Sequence, residues 1–373
     1  MTTTNNWRVN GGMTNGTVPG AGKVPPVPLT STDPDLAQLT IVLFGHAAFQ
    51  YLHAACELGL FEFLRSHPGA SREDIAVALD LQPRPADILV FGVTALGLVN
   101  AKGGRYRNGK SIDRLFQLGQ WHHFFDIVEF EAHIVYEGQA DFAESLRADR
   151  NVGLRRIPGT GRDLYHRLSE NPDLERIFYR YMRSWSEISN PVMLRNVDFS
   201  RYRSVLDVGG GDGVNAMALA RAFPGLEVTV FEIEATADLV RRQIAGAGLS
   251  HRVHVHAGDM FADDFPMGHD CILFAHQLVI WTLDDNTDLL RRAHAALPRD
   301  GSVVIFNSFA SDKLDGPLMA ALDSAYFASV PATGGMIYGW RQHEECLRAA
   351  GFARIERFTD TSWTPHGVLV ATK

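Results

Sequence analysis

Cysteine is scarce in this chain: 373 residues hold only Cys56, Cys271 and Cys346. Three scattered thiols make neither a disulfide framework nor a zinc site, and a reducing compartment follows. The polar, Gly/Asn-rich start lacks the charged-then-apolar order of a signal peptide, so the protein is read as cytoplasmic. No apolar run reaches the roughly 18 residues of a membrane span, which excludes a membrane partner at this level. Basic charge is not in excess either. A formal net charge of -8 exerts no general pull toward nucleic acid or an anionic surface. What is present is ordinary for a globular protein, with 46% hydrophobic and 21% charged residues and length enough for two cores.

Residues 1–35 are rich in Thr, Asn, Gly and Pro and lack an apolar period, which predicts a flexible arm. From Leu36 the residues Leu39, Val42, Leu43, Ala47, Leu52, Ala55 and Leu58 recur at helical spacing up to Gly59. That stretch is apolar on more than one side, which predicts burial against a second subunit as well as its own. A helix capped by Ser71, a second through PADILVFGVTALGLV and a turn at KGGRYRNG ending in Tyr106 make a winged-helix pattern over residues 36–115. This pattern raises a DNA-binding regulator as a rival class. The second helix has no Arg or Lys from Ala86 to Val99 with which to reach a groove, so nucleic acid is not an expected partner. Residues 116–195 read as a helical, aromatic-rich linker and substrate lid. Residues 196–373 alternate short apolar runs (SVLDVG, EVTVFEI, RVHVHAG, CILFAH, SVVIFNSF) with amphipathic segments, the form of a doubly wound α/β sheet.

The first of these strands runs into GGGDG, residues 209–213, where glycines let a ligand approach the backbone. Alone this signal is weak, because nicotinamide and flavin enzymes use the same device. The next strand ends in Glu232, where a carboxylate can accept ribose hydroxyls, and the third ends in Gly258-Asp259-Met260-Phe261. With LDVGGGDG, FPGLEVTVFEI, GDMF and ALPRDGSVVI in this order, residues 36–373 resemble the class I, caffeic-acid-type O-methyltransferases of small molecules. The resemblance implies an α/β fold: a C-terminal Rossmann-like methyltransferase domain behind an N-terminal α-helical winged-helix dimerisation domain. It implies a homodimer and S-adenosylmethionine as cofactor. Asp207, Gly209 and Gly211 then frame the methionyl part, Glu232 takes the ribose, Asp259 and Met260 flank the adenine, and Trp281 stacks on it. Ser186, in YMRSWSE with Arg183 and Ser184, falls where relatives contact the methionyl carboxylate, and a surface position is the default for Arg183. Ala275 replaces a lysine that many relatives place near the adenine.

The family's base is missing. Relatives read Leu-His-Asp-Trp where this chain has Leu278-Val279-Ile280-Trp281, so Val279 stands on the histidine. The two glutamates that hold that histidine fall on Asn307 and Ile337. A phenol with pKa about 10 needs a positioned base for oxygen methylation at neutral pH. An electron-rich ring carbon attacks a methyl sulfonium without one if it is held in line. HQLVIW, GPLMAALDSAYFASVPA and GGMIY also resemble actinobacterial C-methyltransferases of antibiotic pathways, which act on tyrosine, 3-hydroxykynurenine or indole rings. The expectation is therefore carbon methylation of a small aromatic substrate, at a phenol ortho carbon or indole C3. Oxygen methylation with another base, and an altered chemistry or binding role, stay as alternatives. His276, Tyr165 and Asn307 are the candidate catalytic groups. His166, Val279, Tyr338 and Tyr326 are candidates for the substrate pocket, with Trp340 as a further wall. His122, His123 and His133, with Asp126, Glu129 and Glu131, match no metal motif, and no catalytic metal is expected.

Overall fold

The computed structural model describes residues 34–373. The arm expected over residues 1–35 lies outside the described residues up to residue 33, and Pro34 already starts a helix. The long helix expected from Leu36 is two helices, α1 (Pro34–Leu43) and α2 (Gly45–Glu57), parted at Phe44. Gly45 weakens the continuation there, since glycine costs about 1 kcal/mol relative to alanine inside a helix. The chain forms two compact units that meet at Phe49/Gln50. No single described helix is long and apolar enough to cross a membrane.

In the second unit, Gly59 at φ 73° turns the chain into α3 (Leu60–Ser66). Helix α4 (Arg72–Ala78) starts at Ser71 in a capping box: Ser71 Oγ accepts from the Asp74 N–H at 3.1 Å, and Asp74 Oδ2 accepts from the Ser71 N–H at 2.8 Å. Helix α5 (Pro83–Ala95) leads to a hairpin of β1 (Val99–Lys102) and β2 (Arg105–Asn108). This is the winged helix, and α5 turns Phe91, 74% exposed, to solvent where a DNA reader would place cations. Helices α6 (Lys110–Gln117) and α7 (Trp121–Phe130) follow. A π-helical turn (Glu131–Val135) then carries α7 into α8 (Tyr136–Gly138). After α9 (Phe142–Ala148) and the short α10 (Leu164–Leu168), the 25-residue α11 (Pro172–Asn196) reaches the sheet.

The sheet holds β3 (Ser204–Val208), β4 (Glu227–Glu232), β5 (Val253–Ala257), β6 (Cys271–Ala275), β7 (Ser302–Ser308), β8 (Arg354–Thr359) and β9 (His366–Thr372) in the order β5-β4-β3-β6-β7-β9-β8. The five expected strands are the parallel ones; β8 and β9 form an antiparallel hairpin against β7. Strands β6 and β7 are buried along their whole length, as a parallel sheet covered on both faces requires. Leu273, Val304 and Phe306 point into one core, and Ile272, Phe274 and Ile305 into the other. The connecting helices are α12 (Val214–Ala222), α13 (Glu234–Gly246), α14 (Leu283–Ala296), α15 (Leu318–Ser329) and α16 (Trp340–Ala349). The carboxyl ends of β3, β4 and β6 then share one edge, where ligands of such folds bind.

Candidate active site

Strand β3 ends in Asp207 and the chain turns through Gly209–Gly213 into α12. Two glycines here have different reasons. At Gly209, φ 67°, a Cβ would lie 2.6 Å from the side chain of Gln277, whose amide donates to the Gly209 carbonyl at 2.8 Å. At Gly211, φ 57°, a Cβ would meet nothing within 4 Å, so the turn faces open space. Asp207 is fully buried, and neither carboxylate oxygen has a partner among the described residues. Burial, reinforced by the charge of Glu232, pushes its pKa up to about 7. Such an acid calls for a donor or cation to meet it.

Glu232, at the end of the neighbouring β4, accepts the N–H of Gly211 at 3.0 Å and of Ile233 at 2.9 Å. Burial raises its pKa and the two N–H bonds oppose that. Asp259 is exposed and its Oδ1 accepts the Phe261 N–H at 2.9 Å. The Phe261 ring stands edge-on to Trp281 at 4.8 Å, while Met260 and Trp281 pack on the same core. The two segments expected at the adenine therefore meet in space. Ser186 lies buried on α11. Arg183, three residues earlier, does not take its default surface role. Its Nη2 and Nε donate to Asp212 Oδ2 at 2.6 and 2.9 Å, tying α11 to the glycine turn.

Helices α7, α10, α11 and α15 contribute rings to one buried aromatic cluster, the aromatic chamber. Phe130 stacks on Tyr181 at 3.7 Å and stands edge-on to Tyr326 at 5.2 Å. Tyr165 meets Phe178 edge-on at 5.8 Å and also packs against the apolar cluster that contains Val279 and Ile337. The short α10 therefore joins the chamber to the segment after β6. Burial raises the phenol pKa of Tyr165, Tyr181 and Tyr326.

At the end of β6, His276 adopts a left-handed φ of 60°, which a non-glycine residue takes only under constraint. Its N–H donates to the Phe306 carbonyl at 2.8 Å. Its ring stands edge-on to His366 at 5.0 Å, and His366 lies 5.2 Å from Trp185 of α11. Nε2 of His276 and both ring nitrogens of His366 are buried without partners. Burial lowers His276 to about 4 and His366 well below its ordinary value, so both are neutral at pH 7. Because Ala275 pairs with Phe306, Asn307 is the next rung beside His276, and it is fully buried with neither amide atom bonded. Val279 and Ile337 pack into one apolar cluster with Ala310 and Ala320. The positions that resemblance assigns to a base and a supporting acid are thus neighbours, filled with hydrocarbon.

Two expected pocket residues lie elsewhere. The His166 side chain is 58% exposed and its Nδ1 sits 2.7 Å from Asp163, the cap of α10, because its neighbour Tyr165 takes the inward face. The Tyr338 hydroxyl lies 2.7 and 2.8 Å from the carbonyls of Gly334 and Trp281 and donates its one proton between them, so it pins a loop. Tyr326 does line the chamber. Trp340 stacks on Phe309 at 3.9 Å and lines, with His366, a groove of about 350 Å³. Gln277 and His366 escaped the sequence reading. Nothing local marks them, because Gly209 lies 68 positions from Gln277 and His276 lies 90 positions from His366. Two triads, His53/Glu129/His133 and His122/His123/Glu187, bring ligand-type atoms within 4.8 Å and are the places where an ion would fit.

Comparison with known proteins gives a consistent pattern. The chain matches the O-methyltransferase domain over residues 140–353 and the O-methyltransferase dimerisation domain over residues 41–115. It is 52% identical to an L-tyrosine C(3)-methyltransferase of Streptomyces lavendulae over 91% of this chain and 93% of that protein. It is 32% identical to a 3-hydroxy-5-methyl-1-naphthoate 3-O-methyltransferase of Streptomyces sahachiroi, over 90% and 94%. The crystal structure of the apo S-adenosylmethionine-dependent methyltransferase SibL superposes with a TM-score of 0.82 at 50% identity, covering 91% of this chain and 99% of that one.

Proposed function

The chain belongs to the O-methyltransferase family and is an S-adenosylmethionine-dependent methyltransferase, and from that premise we propose that it methylates a ring carbon ortho to the hydroxyl of a small phenolic substrate of the tyrosine type. The apolar cluster that holds both Val279 and Ile337 carries this reading. A hydrophobic patch at that point neither removes a phenolic proton nor tolerates a phenolate. It does suit the face of an aromatic ring.

The cofactor fits the residues present. Asp207 is an unpartnered buried acid, and the space in front of Gly211 is open. Asp207, Glu232, Asp259, Met260, Trp281 and Ser186 are the residues that would hold it. When bound, S-adenosylmethionine supplies an electrophilic methyl on a positively charged sulfur. Tyr165, Tyr181 and Trp185 hold the substrate ring so that its carbon stands in line with that methyl, which is positioning rather than acid–base work. A ring carbon held there would take up that methyl without prior loss of the phenolic proton. The proton on the methylated carbon must then depart.

His276 is the acceptor for that proton, through its free Nε2, with His366 behind it. The magnitudes favour this division. An imidazole titrating at about 4 lies about 6 units below a phenol, a gap of about 8 kcal/mol against prior deprotonation of the hydroxyl. A freshly methylated cationic ring is a strong acid and gives its proton even to a weak base. The same histidine is therefore adequate for carbon and poor for oxygen. Asn307, with a free donor and acceptor, orients the hydroxyl.

The active form is a homodimer, supported by the dimerisation domain and by the apolar α1. The test is direct. Enzyme incubated with methyl-labelled cofactor and tyrosine, analysed by NMR, is expected to give an aryl-methyl product. A methoxy product overturns the reading. Val279→His is expected to leave the product on carbon, because ring-carbon attack does not need the phenolic proton removed and the ring proton goes to His276.

A further inference from the structure

We propose that Glu131 and Asp323 form a subsite for the ammonium group of the substrate, so that the enzyme recognises an aromatic amine or amino acid by its cationic end. This rests on the reading above only in placing the substrate ring in the aromatic chamber.

Asp323 lies on the inward face of α15. Ala320 (1% exposed), Tyr326 (5%) and Val330 (0%) recur around it at helical spacing. Glu131 opens the π-helical turn after α7, between Phe130 and Ile134, which are both buried. π-Turns interrupt the regular ladder and occur frequently at functional sites. The edge-on contact of Phe130 with Tyr326 brings the two elements together at the chamber.

An acid in such a place is normally paired. Asp141, a short way along the chain, shows the usual solution, bonded to both Arg155 and Arg156. Glu131 and Asp323 make no hydrogen bond or ion pair among the described residues. A second observation is independent of the acids. Tyr181 and Tyr326 are more than nine-tenths buried, and neither hydroxyl has a hydrogen-bond partner among the described residues. Both tyrosines feel the charges of Glu131 and Asp323, and Tyr326 follows Asp323 by three residues on α15, on the same side of the helix. In the absence of a ligand, burial raises Glu131 to about 8 and Asp323 to about 7, and the acids hold protons of their own. An ammonium replaces those protons with charge-assisted bonds, and the surrounding ring faces add cation–π attraction.

The geometry also sets a direction. Tyr181 stacks towards Trp185 at 6.1 Å, and Trp185 touches His366. A substrate with its amine at Glu131/Asp323 therefore lays its ring along Tyr181 and Trp185, with the far end toward His276.

The experiment measures binding without turnover. Full-length enzyme saturated with S-adenosylhomocysteine is titrated calorimetrically with tyrosine, tyramine and 3-(4-hydroxyphenyl)propionate. Tyrosine and tyramine are expected to bind at least about tenfold tighter than the deaminated acid. Either order between the two amines supports the subsite, and a preference for tyrosine adds a contact to its carboxylate. Glu131→Gln and Asp323→Asn are each expected to remove that advantage while binding S-adenosylhomocysteine as the parent does. In turnover they raise KM for the amine about tenfold and leave kcat within about threefold. Equal affinity for the deaminated acid in the parent overturns the proposal, even if the variants fail to fold. A loss of kcat at unchanged KM overturns it too, and makes the acids part of the proton path. A methoxy product would sink carbon methylation and leave this amine dependence untouched.

Discussion

At the scale of the residue, the site is made of polar groups that have no hydrogen-bond partner among the described residues. Asp207, His276, His366 and Asn307 are all buried with unsatisfied atoms. Three of them, Asp207, His276 and Asn307, were legible from their place at strand ends and in motifs. His366 was not, because only the fold brings it to His276. Burial sets opposite pH dependences on these groups. A buried acid whose pKa is raised, such as Asp207 at about 7, stabilises the fold below the ordinary carboxylate value, and that contribution is lost as pH rises through 7. A histidine lowered to about 4 acts in reverse. The unfolded chain binds the proton first as pH drops below about 6.5, so stability falls from there toward 4. His343 of α16 belongs to the second kind: it is lowered to about 4, fully buried among the rings of Phe309 and Tyr338, and has no hydrogen-bond partner. In His343→Gln, the stability lost between pH 7 and pH 5 is expected to shrink by about 2 kcal/mol. Denaturant titrations of parent and variant at both pH values read this difference, whatever the substitution costs at neutral pH. An unchanged difference would mean that His343 titrates near its ordinary value.

At the scale of the element, α11 couples the two halves of the site. Phe178, Tyr181 and Trp185 recur at three and four residues and build one wall of the chamber. Arg183 leaves the helix about 200° around from Tyr181 and bonds Asp212 in the glycine turn. A nearly buried carboxylate left without its partner is costly, so the pair holds the turn against the helix. Arg183→Met is expected to weaken binding of S-adenosylmethionine about tenfold, measured by calorimetry, with the product unchanged. Unaltered affinity would confine the ion pair to a structural role. The same helix shows why sequence left Arg183 at the surface: its period marks an apolar stripe, but a cation off that stripe is ordinarily solvated. In α10 the ambiguity between Tyr165 and His166 was likewise one of direction, since consecutive residues diverge by about 100°.

At the scale of the molecule, the apolar surface exceeds what a lone protomer hides. Leu39, Ile41, Val42 and Leu43 in α1 are each at least 60% exposed. A contiguous stripe of this kind marks an interface more often than open surface. Val42→Asp together with Leu43→Asp is expected to turn a dimer into a monomer by light scattering. A persisting dimer would remove α1 from the interface.

The sequence by itself determined what depends on neighbours along the chain. The five parallel strands, the cap at Ser71 and the glycine turn with its acid at Glu232 are short-range signals, read from spacing and residue type, while the loss of the base at Val279 is legible only through the resemblance to the family. The break of the first helix at Phe44 and the closing hairpin β8–β9 escaped that reading. A glycine's weakness and an edge strand's apolar run take their meaning from packing. Only the tertiary structure decided which distant groups meet: His276 with His366, Gln277 with Gly209, and Arg183 with Asp212. Burial made the chemistry as well. The same imidazole in water would titrate near 6.5, and the desolvation that lowers it to about 4 exists only once the sheet and α11 have closed around it.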